Sequence, residues 1–103
     1  MLTAIVQFPL PESVGPEQFQ ELCRLVAPDY REPVGLIRKY FLIGEDGRTG
    51  GGVYLWRSRA AAEQFYGAGF RAMVAEQFGT EPVISYFPTP VVVDNVAGWI
   101  ESN

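Results

Sequence analysis

The chain has 103 residues and a mass of 11.4 kDa, which predicts one domain, residues 1–103, around one hydrophobic core. Its net charge is −4, with eight scattered basic residues against twelve acidic ones, and this balance argues against nucleic acid as a partner. No apolar run approaches the roughly 20 residues of a membrane span and no leader is recognisable at Met1, so we expect a cytoplasmic protein without a membrane partner.

The usual residues of disulfide and metal chemistry are scarce. Cys23 is the only cysteine and the chain has no histidine, so we predict neither an intrachain disulfide nor a metal site. The hydrophobic fraction of 48% and the aromatic fraction of 14% are large for so short a chain. We therefore expect some large apolar side chains to line a cavity or to face another subunit.

The first third of the sequence predicts a strand followed by a helix. Apolar residues alternate along Leu2–Phe8, and Pro9 ends this pattern because proline cannot donate to a sheet. Pro16 suits the first position of a helix, in which apolar residues recur at three- and four-residue spacing until Pro28. Cys23 lies on the apolar stripe of this helix, where we interpret it as an inert small side chain.

The segment Val34–Ser58 predicts a β-hairpin. Its strands are Leu36–Ile43 and Gly51–Arg57, both rich in branched and aromatic residues. The pair Asp46-Gly47 between them is a strong turn signal. The glycine run at 50–52 lacks phosphate-loop spacing and indicates a bulge or a close backbone approach.

A helix, a strand and a tail complete the chain. Ser58 suits the N-cap of an alanine-rich helix, Gly67 and Gly69 predict a kink or a break within it, and Gly79 predicts its end. The fourth strand is Val83–Phe87. The tail that follows contains the weakly helical segment DNVAGWI, whose tryptophan and isoleucine lead us to expect that it docks on another surface.

The order of these elements predicts an α+β fold. It is the order of the ferredoxin-like βαββαβ sandwich, a four-stranded antiparallel sheet with helices on one face, since it reads strand, helix, strand, strand, helix, strand. The other face of the sheet is left open, although its strands are apolar on both sides. Because such a face must be covered, we predict a two-fold homodimer in which two sheets meet.

The register of the hairpin decides which side chains share a face of the sheet. Centring it on 46–48 places Tyr40 opposite Tyr54 and Arg38 opposite Trp56, all four on the open face. The aliphatic residues of the third strand then lie beneath the helices, and this is the register that we prefer.

A slip of one residue gives the alternative register. It would place Lys39 and Phe41 beside Tyr54 and Trp56 and would remove Arg38 and Tyr40 from that face. The preferred register has one awkward feature, since it puts Lys39 in the core, where a lysine must reach the rim or find a partner.

The hairpin and the helix after it resemble the YdhR-type mono-oxygenases of the dimeric α/β-barrel superfamily. The resemblance rests on the spacing of Gly35, Lys39 and Phe41, an acidic turn of matching length, the motif GGVYLW and the alanine-containing helix, and it covers Val34–Phe87. It implies a ferredoxin-like protomer, a homodimeric barrel with a cavity in each subunit, and an oxygenase that acts on aromatic compounds without a metal or an organic cofactor.

The sequence departs from a related pattern at one point. The antibiotic-biosynthesis mono-oxygenases of the superfamily often carry an acidic residue and a tryptophan on the third strand and a histidine on the following helix. Here Trp56 matches, Tyr54 replaces the acid, and Phe65 or Tyr66 stands near the histidine position. The proton-transfer role of that histidine therefore does not transfer to this chain.

An oxygenase of this kind needs a substrate that can become an electron-rich anion able to reduce dioxygen. The protein excludes water, stacks on the aromatic ring and stabilises the anion with a cation or a hydroxyl group. The candidate catalytic residues are Arg38, Tyr40 and Tyr54, and the candidate substrate-binding residues are Trp56, Lys39, Phe41 and Tyr86.

Other interpretations stay open at this stage. Aromatic residues on strands are equally typical of a homodimer interface, and Arg38 can instead pair with a carboxylate across the dimer. The chain can be a mono-oxygenase with a small aromatic or polycyclic phenolic substrate. It can also be a non-catalytic module that binds a small hydrophobic ligand or serves assembly, or an isomerase or cyclase, because one fold hosts several chemistries.

Overall fold

A computed structural model describes all 103 residues. Its elements are β1 Leu2–Pro9, α1 Pro16–Val26, a short 3-10 helix Ala27–Arg31, β2 Leu36–Ile43, β3 Thr49–Trp56, α2 Arg59–Phe65, α3 Ala68–Phe78, β4 Val83–Pro88, β5 Val91–Asp94 and β6 Trp99–Ser102. The first four strands form an antiparallel sheet in the order β2-β3-β1-β4, and β5 pairs with β6 alone. This arrangement confirms the predicted ferredoxin-like α+β fold. None of the helices is long and apolar enough to cross a membrane.

The helices begin and end at the capping and helix-breaking residues that the sequence contains. Gln18 accepts a hydrogen bond from the backbone N–H of Gly15 at 2.9 Å, ahead of Pro16 in the first turn of α1. Ser58 Oγ accepts from the N–H of Ala61 at 3.2 Å at the start of α2. The predicted break is present, since α2 ends before Gly67 and α3 follows it.

The core lies between the helices and one face of the sheet. Alternate residues of β1 and β3 point into it, and Trp56 is 0% exposed. The buried apolar residues are Leu2, Ala4, Val6, Phe8, Leu10, Phe19, Tyr54, Trp56, Ala62, Tyr66, Val74 and Phe78. Removing this apolar surface from water is the main favourable contribution to the fold.

The strand pairing is that of the alternative register, so the preferred pairing was wrong. The faces predicted for β3 were wrong as well, since Tyr54 and Trp56 lie beneath the helices and not on the open face. Lys39 lies opposite Tyr54, Phe41 opposite Gly52, and Tyr40 opposite Val53. Since directly opposed residues share a face, the side of the sheet that faces the helices carries Lys39, Phe41, Tyr54 and Trp56. Arg38 and Tyr40 point to the other side, with Val53 and Leu55.

The turn explains the difference in register. Gly44 N–H donates to Thr49 O at 2.8 Å, which leaves the four residues 45–48 between them. An even number of loop residues puts the centre of the hairpin between Asp46 and Gly47 and not on one residue. Gly47 has a φ of +71°, a conformation that glycine adopts at little cost.

The C-terminal segment forms a second hairpin, so the prediction of a weak helix was wrong. The Asp94 carboxylate accepts hydrogen bonds from the N–H groups of Val96 and Ala97 at 3.0 and 2.9 Å and closes a turn between β5 and β6. It also forms an ion pair with Arg38. The N–H of Ala97, with smaller contributions from Val96 and Arg38, lowers the pKa of Asp94.

The open face is the side of the four-stranded sheet that points away from the helices. It carries exposed apolar side chains from β2 and β4, namely Tyr40, Leu42, Val83 and Phe87. The homodimer that this face suggests stays a prediction.

Candidate functional site

A cavity of about 370 Å³ lies between the sheet and the helices. We call it the helix-side cavity. Of the 18 residues that line it, 14 are hydrophobic, and they come from β1, β2, β3, α1, the 3-10 helix, α2 and α3. This volume is in the lower part of the range of about 300 to 1000 Å³ that is typical of small-molecule sites.

Lys39 supplies the only cation of the cavity wall. It is the single lysine of the chain, whose seven other basic residues are all arginines. Its Nζ lies 3.3 Å from the ring centroid of Tyr30, 3.8 Å from that of Phe41 and 4.5 Å from that of Tyr54. None of the ion pairs in the structure includes Lys39.

Two effects act in opposite directions on the protonation of Lys39. Burial lowers its pKa to about 7, because an ammonium group loses solvation among apolar side chains. The three surrounding rings attract the ammonium form and hold the side chain in place. At neutral pH the group is therefore balanced between a base and a cation, a property that an arginine cannot have.

Two phenol groups accompany the amine. Burial raises the pKa of Tyr54 far above its usual range and raises the pKa of Tyr30 as well, so both hydroxyls keep their protons at neutral pH. The ring centroids of Tyr30 and Tyr54 are 6.2 Å apart, and both residues line the cavity. The cavity thus combines one titratable amine with two hydrogen-bond donors.

Phenyl groups form the remaining walls. Phe65 and Phe70, on either side of the break between α2 and α3, have centroids 5.2 Å apart, and Phe65 is 6.1 Å from Tyr54. At the other end, Phe8 stacks on Phe78 at 4.6 Å. These surfaces suit a flat aromatic ligand.

Cys23 and Asp29 also line the cavity. Burial raises the pKa of Cys23, against a smaller opposite effect of Lys39, so its sulfur is a thiol at neutral pH. This agrees with the inert role expected for it. Asp29 is exposed at the start of the 3-10 helix and does not form an ion pair with Lys39.

The glycine run of β3 brings two strands close together beside the cavity. A Cβ atom on Gly51 would lie 1.9 Å from the carbonyl oxygen of Val6, and Gly51 lines the cavity. The close backbone approach that the sequence indicated is therefore present.

Trp56 and Tyr86 lie outside the cavity wall. Trp56 stacks parallel to Tyr54 at 6.1 Å and donates through Nε1 to the hydroxyl oxygen of Tyr66 at 3.2 Å. The Cζ atom of the Arg59 guanidinium group lies over the ring of Tyr86, 5.0 Å from the ring centroid. We infer that Trp56 holds the Tyr54 ring in place without contacting a ligand in the cavity.

The structure divides the five other residues nominated from the sequence into two groups. Lys39, Phe41 and Tyr54 meet in the helix-side cavity. Arg38 and Tyr40 are on the opposite side of the sheet, where Arg38 pairs with Asp94. One-residue alternation along β2 separates the two sets.

Sequence reasoning missed Tyr30. The residue follows α1 in the 3-10 helix and turns back over Lys39. Its signal in the sequence is weak, since a tyrosine between two prolines, Pro28 and Pro33, reads as part of a loop.

No group of three or more histidine, cysteine, aspartate or glutamate side chains is arranged to bind a metal ion.

No protein-family model and no curated protein sequence matches this chain. Solved structures match it over most of its length. ActVA-Orf6 of Streptomyces coelicolor, a monooxygenase in complex with nanaomycin D, is 20% identical, with a TM-score of 0.63 over 90% of this chain and 91% of its own.

Two further structures have the same fold. SnoaB of Streptomyces nogalater, a cofactor-independent oxygenase, is 15% identical, with a TM-score of 0.62 over 85% of this chain and 91% of its own. Rv0793 of Mycobacterium tuberculosis is 17% identical, with a TM-score of 0.64 over 85% and 93%. These matches confirm the ferredoxin-like α+β fold of the chain.

Proposed function

We propose that the chain, whose fold is that of the dimeric α/β-barrel superfamily, is a cofactor-independent mono-oxygenase that acts in the helix-side cavity. Its substrate is a small aromatic or polycyclic phenolic compound. One observation carries the proposal. The only lysine of the chain lies without an ion-pair partner in a cavity of aromatic side chains.

The reaction begins with a proton transfer. The neutral Lys39 amine takes a proton from an acidic O–H or C–H of the substrate, and the resulting ammonium stabilises the phenolate or enolate. A pKa of about 7 suits both roles, because the amine is half deprotonated before the transfer and holds the proton afterwards. The hydroxyls of Tyr30 and Tyr54 donate hydrogen bonds to the same anion.

Dioxygen then oxidises the substrate anion. One electron passes from the anion to dioxygen, and the two radicals combine to form a C–O bond and a peroxide. The Lys39 ammonium returns its proton to the peroxide. Loss of the second C–H proton with cleavage of the O–O bond gives a carbonyl group and water, so one CH₂ and one O₂ become one C=O and one H₂O.

The fold comparisons support this proposal without identifying a substrate. ActVA-Orf6 is a monooxygenase that binds nanaomycin D, and SnoaB is a cofactor-independent oxygenase. The cavity volume and its phenyl walls suit two or three fused rings better than a flexible polar ligand.

Oxygen uptake with anthrone tests the proposal. The protein is treated with a chelator, and uptake is measured together with the absorbance of the quinone product. We expect one O₂ consumed for each quinone formed. Binding of anthrone without uptake would contradict the oxygenase and indicate a binding module, and a product formed under nitrogen would indicate an isomerase or cyclase.

Two neighbouring cations make a matched pair of variants for the same assay. Lys39→Met should lower kcat/KM about a hundredfold or more, because it removes the base and the cation together. Arg38→Met removes a charge on the other side of the sheet. If Arg38→Met abolishes turnover and Lys39→Met does not, the active site is on the open face and the proposed cavity is wrong.

A further inference from the structure

The single lysine has a chemistry that the oxygenase does not use. Lys39 and the amino terminus are the only two alkylamines of the chain, and the seven other cations are guanidinium groups, which do not form imines. The amino group of Met1 is exposed and hydrogen-bonded to Asn103. The chain therefore has one amine inside an apolar cavity and one in solvent.

The surroundings of Lys39 are those of a nucleophilic amine. Its Nζ touches the faces of Tyr30 and Phe41 and has no carboxylate partner that would fix it as an ammonium group. With a pKa of about 7, roughly half of the group is neutral at pH 7, whereas an ordinary lysine is neutral in fewer than about one molecule in a thousand.

We propose that Lys39 is also a carbonyl-binding nucleophile, whose amine forms an imine with an aromatic aldehyde bound in the helix-side cavity. The nitrogen lone pair attacks the carbonyl carbon, and the carbonyl electron pair moves to oxygen. A proton transfer gives the carbinolamine, which loses water to leave a C=N bond. The step consumes one aldehyde, releases one water and needs no oxidant.

The cavity provides the other groups that imine formation requires. The rings of Tyr30 and Tyr54 lie beside the amine, and their hydroxyls share its cavity and can donate a proton to the departing oxygen. The phenyl walls hold the ring of the aldehyde, so the reaction becomes effectively unimolecular. The titratable groups that share the cavity with Lys39 are Cys23 on α1, Asp29 and Tyr30 on the 3-10 helix, and Tyr54 on β3.

Reductive trapping tests the proposal. The full chain is incubated with 1-naphthaldehyde and sodium cyanoborohydride at pH 7 under nitrogen, and the products are mapped by peptide mass spectrometry. We expect one stable secondary amine on Lys39, formed about tenfold or more faster than the adduct on Met1. An adduct on Met1 alone would overturn the proposal.

A double variant gives the matched control. Lys39→Arg with Arg57→Lys keeps the number of amines and of cations but moves the lysine to an exposed position after β3. We expect its lysine to be trapped about tenfold more slowly than Lys39. Equal rates would overturn the proposal, because the cavity would then contribute nothing.

Competition links the reaction to the cavity and separates it from the oxygenase. Naphthalene, which has no carbonyl group, should slow trapping at Lys39 and leave trapping at Met1 unchanged. If it slows neither, the aldehyde does not react in the cavity and the proposal fails. The experiment runs without dioxygen, so an absence of oxygen uptake with anthrone has no bearing on its result.

Discussion

Lys39 is a charge enclosed by aromatic rings, and its protonation is coupled to folding. The unfolded chain holds this proton up to a pH of about 10.4, whereas the folded chain releases it near pH 7. Between these values the unfolded state binds more protons, so stability rises with pH. The penalty of burying the ammonium group is present in full below pH 7 and fades above it.

We therefore expect Lys39→Met to stabilise the protein most at low pH. At pH 6 the variant should gain about 2 to 4 kcal/mol in free energy of unfolding, because a buried charge becomes an apolar side chain of similar length. At pH 9 most of this gain should be gone. Urea unfolding followed by tryptophan fluorescence at both values measures the difference.

Arg57→Met is the control for this measurement. Arg57 is an exposed cation after β3, so the effect of its removal should be small and equal at pH 6 and pH 9. A gain for Lys39→Met that is the same at both pH values would show that the amine keeps an ordinary pKa in the folded protein.

The site was predictable at the level of single residues only in part. Lys39, Phe41 and Tyr54 were nominated from the sequence, and all three line the helix-side cavity. Tyr30 was not nominated, because its contact with Lys39 depends on a 3-10 turn that no periodic pattern in the sequence predicts. Arg38 was chosen as the cation because the preferred register placed it beside Tyr54 and Trp56, whereas the structure places Lys39 opposite Tyr54.

The hairpin shows why the choice between those neighbours failed. Both strands were predicted, and Arg38 and Tyr40 lie on the open face as expected. Tyr54 and Trp56 do not, because the face that β3 residues share with β2 residues depends on whether the turn has an odd or an even number of residues. Local turn signals such as Asp46-Gly47 fix the place of a turn better than its length. The core position of Lys39 was the awkward feature of the preferred register, and it is the position that the structure shows.

The β1–β3 pairing makes a prediction for the glycine run. Gly51→Ala should lower the free energy of unfolding by about 2 to 4 kcal/mol, because its Cβ would lie 1.9 Å from the carbonyl oxygen of Val6 and the strands would have to separate. Thermal or urea unfolding measures the loss.

Gly69→Ala is the matched substitution in α3. A Cβ atom at Gly69 meets nothing within 4 Å, so alanine should raise the free energy of unfolding by about 0.5 kcal/mol through its helix propensity. Opposite signs for the two variants are the expected outcome. A change in the free energy of unfolding below about 1 kcal/mol for Gly51→Ala would mean that β1 and β3 can separate beside the cavity at little cost.

At the scale of the whole molecule, the open face leaves apolar side chains exposed. Tyr40, Leu42, Val83 and Phe87 leave much of their area in water, and the C-terminal hairpin adds exposed valines and Trp99. Contiguous apolar surface of this kind is typical of an interface. We expect a second copy of the chain to cover it, since the open face repeats on both copies of a two-fold dimer.

Substitutions on the open face test that assembly. Leu42→Asp with Phe87→Asp should shift the protein from dimer to monomer in sedimentation experiments at micromolar concentration, because paired sheets would bury the new charges. Leu25→Asp is the control, as Leu25 is an exposed residue of α1 on the helix side. A wild-type protein that sediments as an 11.4 kDa monomer would refute the dimer.

Most of the fold followed from the sequence. Strand alternation, Pro16, Ser58 and the paired glycines of the α2–α3 break placed the elements of the βαββαβ sandwich. The C-terminal hairpin did not follow, because its turn is closed by Asp94, whose carboxylate also pairs with distant Arg38. Contacts between remote parts of a chain override weak local preferences.

The presence of one lysine also makes the cavity observable by spectroscopy. In protein grown with isotope-labelled lysine, the side-chain methylene carbons give a single set of resonances, and all of them report on the helix-side cavity. The shift of the carbon next to Nζ follows the titration of the amine without assignment of any other signal. The same resonance registers an entering ring or a new C=N bond, so proton, ligand and adduct can be distinguished in one sample.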